Sequence, residues 1–168
     1  MHDTYTIDGD FKIIAGGQTG ADIAAPDWAI MQGISHCGWC PKGRKAEEGV
    51  LPEQYKLVET PSASYLEWAE WNVRDADATL IFTLGDKLEG GSKRTAEYAE
   101  RLGKPWLHMR PGVHPKYVVR FLHQHQVMVL NVAGSRGSLA PSIGLFVWDI
   151  LAQALHVPLR RLQDHSVV

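Results

Sequence analysis

A doubly wound α/β domain, with a parallel sheet of about five strands and helices on both faces, is the fold class that the sequence predicts. Two observations point to it. Short β-rich runs alternate with helical stretches along nearly the whole chain, a pattern that parallel sheets with right-handed crossovers produce. Glycine-bearing turns also stand between strand and helix three times, at residues 16–20, 90–92 and 133–138. The 168 residues fit one domain. We expect residues 1–10 to form an N-terminal extension, 11–155 the domain, and 156–168 a loosely held tail.

The elements follow in order. Residues 11–15 read as the first strand, and the helix after the glycine turn runs to about Gln32, with Pro26 as an internal anomaly that suggests a kink or a late start. Residues 34–37 form a weaker second strand. Residues 39–60, rich in Gly, Pro, Lys and Glu, read as a long functional loop. Ser64 and Glu67 have capping-box spacing and open a helix with Trp68 and Trp71 that ends near Asp75. Strand three covers 79–84. The next helix covers 93–103, with Gly103 as its terminating glycine. Residues 106–109, 115–125, 127–132 and 141–155 complete the alternation as strand, helix, strand and helix. A strand order of 2-1-3-4-5 would place the first two glycine turns on one crevice.

Composition narrows the function. Lys and Arg number 17 against 19 Asp and Glu, so the net charge of −2 lacks the positive excess on which phosphate-backbone binding draws, and no nucleic-acid partner is expected. No run of roughly 20 apolar residues is present for a bilayer. The opening Met1-His2-Asp3-Thr4 lacks a signal-peptide pattern, which makes a soluble, cytoplasmic protein the expectation.

The turns carry the chemistry. Gly16, Gly17, Gln18, Thr19 and Gly20 bring main-chain N–H groups to a helix N-terminus, which favours an anion. Their spacing matches neither G-x-G-x-x-G nor a P-loop. The plainer alternative is that Thr19 caps the helix and Asp22 completes the box. In the second turn, Gly90, Gly91 and Ser92 precede Lys93 and Arg94, two cations in a first helical turn, where the macrodipole disfavours positive charge unless an anion compensates. Both could equally extend into water. Asn131, Gly134, Arg136 and Ser138 mark the third turn, before a helix expected just after Gly137. Lys42 and Arg44, on the loop after strand two, would add cations at the same sheet edge.

Two further groups suggest metals and are better explained otherwise. Cys37 and Cys40 lack the following helix of a redox pair and any second pair for zinc, so packing is expected, with Cys40 the one that could face a ligand. His123 and His125 sit two apart, the wrong spacing for one helix face. No structural metal is expected.

In chain order, Gly16-Gly17-Gln18-Thr19-Gly20-Ala21-Asp22, Gly38-Trp39-Cys40-Pro41-Lys42-Gly43-Arg44, Glu70-Trp71-Asn72-Val73-Arg74-Asp75, Gly90-Gly91-Ser92 and Leu130-Asn131-Val132-Ala133-Gly134 resemble the molybdenum carrier protein family over residues 11–155. The resemblance implies a Rossmann-like fold related to the lysine-decarboxylase-like nucleotide hydrolases. It further implies molybdenum cofactor (molybdopterin) as ligand, a homo-oligomer, commonly a tetramer, and molybdoenzymes as recipients. The family's binding role would carry to Gly17, Thr19, Lys42, Arg44, Gly91, Ser92, Gly134 and Arg136. Cys37 stands where the family often has glycine. The related phosphoribohydrolases use Pro-Gly-Gly-x-Gly-Thr-x-x-Glu, and Gly90 to Glu97 breaks that spacing. Storage or transfer of a phosphorylated pterin without catalysis is therefore the leading expectation. The alternatives are a nucleotide N-glycosidic hydrolase, with Glu97 or Glu89 as acid/base and Arg94 on the phosphate, and a nucleotide-sensing module.

Overall fold

The computed structural model describes residues 3–159; the rest of the expected tail, 160–168, lies outside the described residues, as do Met1 and His2. Five parallel strands form the central sheet: β1 (Lys12–Ile14), β2 (Ser35–Cys37), β3 (Ala78–Phe82), β4 (Trp106–Met109) and β5 (Val129–Gly134). Between and after them run α1 (Ala21–Gln32), α2 (Tyr65–Asp75), α3 (Gly90–Arg101), α4 (Lys116–His125) and α5 (Ile143–Ala154). The chain is therefore a Rossmann-like α/β protein, as its alternating pattern predicts. Helix α1 packs on α5 and α5 on α4, while α2 packs on α3, so two groups of helices cover the sheet.

Alternation along β5 shows why the sheet is buried on both sides. Leu130 and Val132 join a core shared with Ile13, Leu80 and Phe82 and with Ala25 and Trp28 of α1 and Val147 and Leu151 of α5. Asn131 points to the other face and donates to Thr79 Oγ1 across the buried seam, at 3.2 Å.

The strand order is β2-β1-β5-β3-β4 and not the expected 2-1-3-4-5. The last strand inserts into the middle of the sheet, between β1 and β3. Moving β5 and α5 to the front of the chain would renumber this order as 3-2-1-4-5, the Rossmann order. The chain ends make such a rearrangement geometrically simple: Tyr5–Thr6 pairs in parallel with Leu155–His156. The N-terminal extension is thus tied down by a two-stranded ladder. The switch point of the strand order falls between β5 and β3, whose following helices, α5 and α3, belong to different groups.

Local signals account for most boundaries. Helix α1 begins at Ala21 in spite of Pro26, which leaves the Asp22 carbonyl without its helical N–H donor. Helix α3 starts three residues before the expected Lys93 and ends as predicted: Gly103 N–H donates to Glu100 and Lys104 N–H to Ala99, the Schellman arrangement. Helix α5 starts at Ile143, later than expected, because a turn in which Leu139 and Ala140 N–H donate to Arg136 intervenes. Ser64 is the N-cap of α2 without a side-chain cap bond, and Glu67 accepts from Ser62 N–H instead.

The stretch 39–60 is folded. Trp39–Cys40 pairs with Val58–Glu59, and Lys45–Ala46 with Gly49–Val50. Cys40, Leu51, Tyr55 and Leu57 form a small core of their own beneath it.

Candidate functional site

At the carboxyl end of the sheet, at the switch point between the parallel strands β5 and β3, lies a crevice of about 880 Å³. This is where open α/β sheets hold ligands, and the volume suits a small cofactor.

Three segments build its charged wall. The first turn of α3 contributes Gly90, Gly91 and Ser92, whose N–H groups precede the first helical bond, from Lys93 N–H to Glu89. Arg94 lines the crevice beside them, as does Lys87 from the preceding loop. The segment after β5 adds Gly134, Arg136 and Ser138, and Asn131 lies deeper. The loop after β1 adds Gly16 and Gln18. Among the described residues the ion pairs are Arg74–Asp75, Arg101–Glu70 and Arg110–Asp86, so Lys87, Arg94 and Arg136 are not spent on carboxylates there.

The remaining expected site residues lie outside the lining, and each has another role or position. Gly17 packs where a Cβ would meet Leu57 and Leu51. Thr19 Oγ1 accepts from Gly137 N–H at 3.2 Å. Gly20, at φ +84°, is the N-cap of α1 and lies so close to the Ser135 carbonyl that no Cβ would fit. The first amide of α1, at Ala21, donates to that same carbonyl at 3.1 Å. The first and third turns therefore close on each other, and part of the α1 N-terminus is satisfied internally. Lys42 and Lys93 are exposed. Arg44 is the buckle of the 39–60 segment: its guanidinium donates to the carbonyls of Leu51, Pro52, Tyr55 and Leu57 at 2.9–3.3 Å. Cys40 is fully buried in the satellite core, away from the crevice, and Cys37 is half-buried. His123 packs edge-on against Tyr5, and His125 against Phe121. Glu97 is exposed and off the crevice, whereas Glu89 lines it.

The sequence reading missed the wall supplied by α2. Tyr65, Trp68, Ala69 and Asn72 all line the crevice. Trp68 lies directly over Gly16, in space that any side chain there would need, and meets Tyr65 edge-to-face at 4.9 Å. Tyr65 OH donates to the Gly91 carbonyl at 2.9 Å, which fixes α2 to the first turn of α3; burial raises this phenol to about 12, so it stays protonated. Asn72 anchors the other side, accepting from Trp39 N–H at 2.7 Å and donating to Trp39 O at 2.9 Å. The helix was legible from its Trp spacing, but the surface it covers depends on the long crossover from β2 to β3.

Asp22 is the other residue whose position the sequence left open. It sits in the first turn of α1, lines the crevice and is only 7 % exposed. Burial raises its carboxyl from 3.8 to about 7, against the lowering effects of a backbone hydrogen bond with Gln18 and of the Arg136 charge.

The model of the circularly permutated YpsA SLOG family matches residues 13–155. The chain belongs to this family. Its permuted strand order, with β5 in the place of a first Rossmann strand, agrees with that description. Among solved structures, a "Putative molybdenum carrier protein" from Syntrophus aciditrophicus SB is 43 % identical, with a TM-score of 0.81 over 84 % of this chain and 92 % of that one. The motif resemblance and this structural similarity therefore point to the same group of proteins. No curated protein matches the chain. Within this family member, the described residues include no helix long and apolar enough to cross a membrane, and no cluster of three His, Cys, Asp or Glu side chains suited to a metal ion.

Proposed function

We propose that the protein binds and carries a phosphorylated pterin, molybdenum cofactor, in the β5/β3 crevice and breaks no bond in it. One observation carries the reading: Lys87, Arg94 and Arg136 line a single crevice together with the first turn of α3, and none takes part in an ion pair among the described residues. Main-chain N–H groups at a helix start and uncommitted cations suit a terminal phosphate. Trp68 and Tyr65 offer a rigid aromatic wall for a ring. The name of the 43 % identical relative supports molybdenum cofactor over other phosphorylated rings. When bound, the cofactor would bring its own sulfur ligands for molybdenum; the chain's residues would hold the phosphate and the ring.

Anaerobic titration with molybdopterin tests this reading. Stoichiometric binding, with pterin and molybdenum retained through gel filtration, is expected; a protein that retains neither at saturation does not carry the cofactor. A homotetramer in the cytoplasm that delivers to molybdoenzymes belongs to the same proposal, and light scattering measures its subunit count. The N-glycosidic hydrolase reading finds less support, because Glu97, one of its two acid/base candidates, lies off the crevice. Release of free base from nucleoside monophosphates would reinstate it.

A further inference from the structure

Asp22 has no evident task in holding a phosphate. Its carboxyl is more than nine-tenths buried, lines the crevice and carries the wrong sign for an anion. Burying such a group without full compensation is costly, and the position is not demanded by capping, since Gly20 is the N-cap of α1 and takes no side-chain bond from Asp22. A carboxylate has about four acceptor positions. Within the chain the Gln18 backbone and the Arg136 charge favour its ionised form, and Tyr65 gives its proton to Gly91. Acceptor capacity is therefore left at the crevice, in the first turn of α1, just after the loop that carries Gly16 under the Trp68 ring.

We propose that Asp22 selects the ring of the ligand by accepting two adjacent N–H groups, the 2-amino and ring N–H pair of a 2-amino-4-oxopyrimidine edge. Pterins and guanine share this edge. A carboxylate meets it with two parallel hydrogen bonds, as it meets a guanidinium fork. A 2-oxo analogue places a carbonyl where the amine was and sets oxygen against oxygen; an analogue with hydrogen at that position loses one bond. Sites built around a buried polar group discriminate strongly against analogues that leave it unpaired. The inference deepens the carrier reading and rests on it for the phosphate end, with Arg94 and Arg136 holding the anion and Asp22 reading the ring.

Calorimetric titration of the full chain at pH 8, where the Asp22 carboxyl is ionised, separates the two ideas. The probes are 6-hydroxymethylpterin phosphate against its 2-oxo counterpart, and guanosine against xanthosine and inosine monophosphates, each with its unphosphorylated form. The wild-type protein should bind each 2-amino ligand at least tenfold more tightly than its 2-oxo partner. Asp22→Asn, which replaces one acceptor oxygen by a donor, should bring that ratio close to one, whereas Arg94→Ala should weaken all phosphorylated probes and keep the ratio. Preference for the pterin pair over the guanine pair, or the reverse, supports the proposal and names the ring. A wild-type ratio of one, or a ratio that survives Asp22→Asn, overturns it, and the wild-type comparison needs no variant to fold. Equal affinity for phosphorylated and unphosphorylated probes would refute the anion site while leaving a 2-amino preference as evidence for Asp22. If no probe binds the wild-type protein, both ideas are refuted.

Discussion

Replacing Asp22 by Asn should stabilise the ligand-free protein above neutral pH. The carboxyl titrates at about 7 in the folded chain against an ordinary value of 3.8. Below the lower value both folded and unfolded states hold the proton, and the residue adds no pH dependence. As pH rises from there to about 7, the unfolded chain ionises freely while the folded chain retains its proton, so stability falls. Above 7 the full penalty applies. A shift of about three units, at about 1.36 kcal/mol each, amounts to roughly 4 kcal/mol. The Asn variant lacks this titration, so its unfolding free energy relative to wild type should rise by about that amount between pH 4 and pH 8. With a urea slope of about 2 kcal/mol/M, the midpoint difference should move by about 2 M. Urea unfolding followed by tryptophan fluorescence at several pH values, without ligand, measures it directly. Wild-type and variant midpoints that run parallel from pH 4 to pH 8 would mean that the carboxyl titrates normally and that the burial argument is wrong.

Three other outcomes are expected. Gly16→Ala puts a methyl group into the Trp68 ring, which Tyr65 holds from the side, and should cost about 1–3 kcal/mol in urea unfolding with a change in tryptophan emission. Arg44→Ala leaves four carbonyls without their donor and should open the 39–60 segment to limited proteolysis, with about 1–3 kcal/mol lost; Arg44→Lys should not restore protection, since an ammonium cannot reproduce the guanidinium fork. Arg94→Ala should weaken binding of the phosphorylated pterin about tenfold or more, whereas Lys93→Ala, outside the crevice lining, should change it less than about twofold; both should stay within about 0.5 kcal/mol of wild-type stability.

The contrast between Arg94 and Arg44 shows what the sequence could convey. Both are cations in glycine-bearing segments after a strand, and local pattern treats them alike. Arg94 is fixed to the crevice by its place near the start of α3, a local fact. Arg44 is drawn inward by carbonyls up to 13 residues away, in a segment without periodicity. The alternation of strands and helices was readable because hydrophobic period and terminating residues such as Gly103 act within a few positions. The strand order was not, because nothing in the residues 127–132 states which neighbours that strand will take; a strand apolar on one face with Asn131 on the other suits several places in a parallel sheet. For the same reason Asp22 read equally well as part of a capping box. Its surroundings depend on Tyr65 and Arg136, which come near it only after α2 and the segment following β5 have docked.

The insertion of β5 also bears on how the molecule is made. Synthesis delivers β1, β2, β3 and β4 before the strand that joins them, so the growing chain holds two half-sheets with open, facing edges until the keystone slides in. Those edges are the surfaces most prone to pair with a neighbouring molecule, and closing the gap requires contacts between parts of the chain separated by more than a hundred residues. The crevice straddles that seam, so a nascent chain lacks one of its walls until β5 arrives.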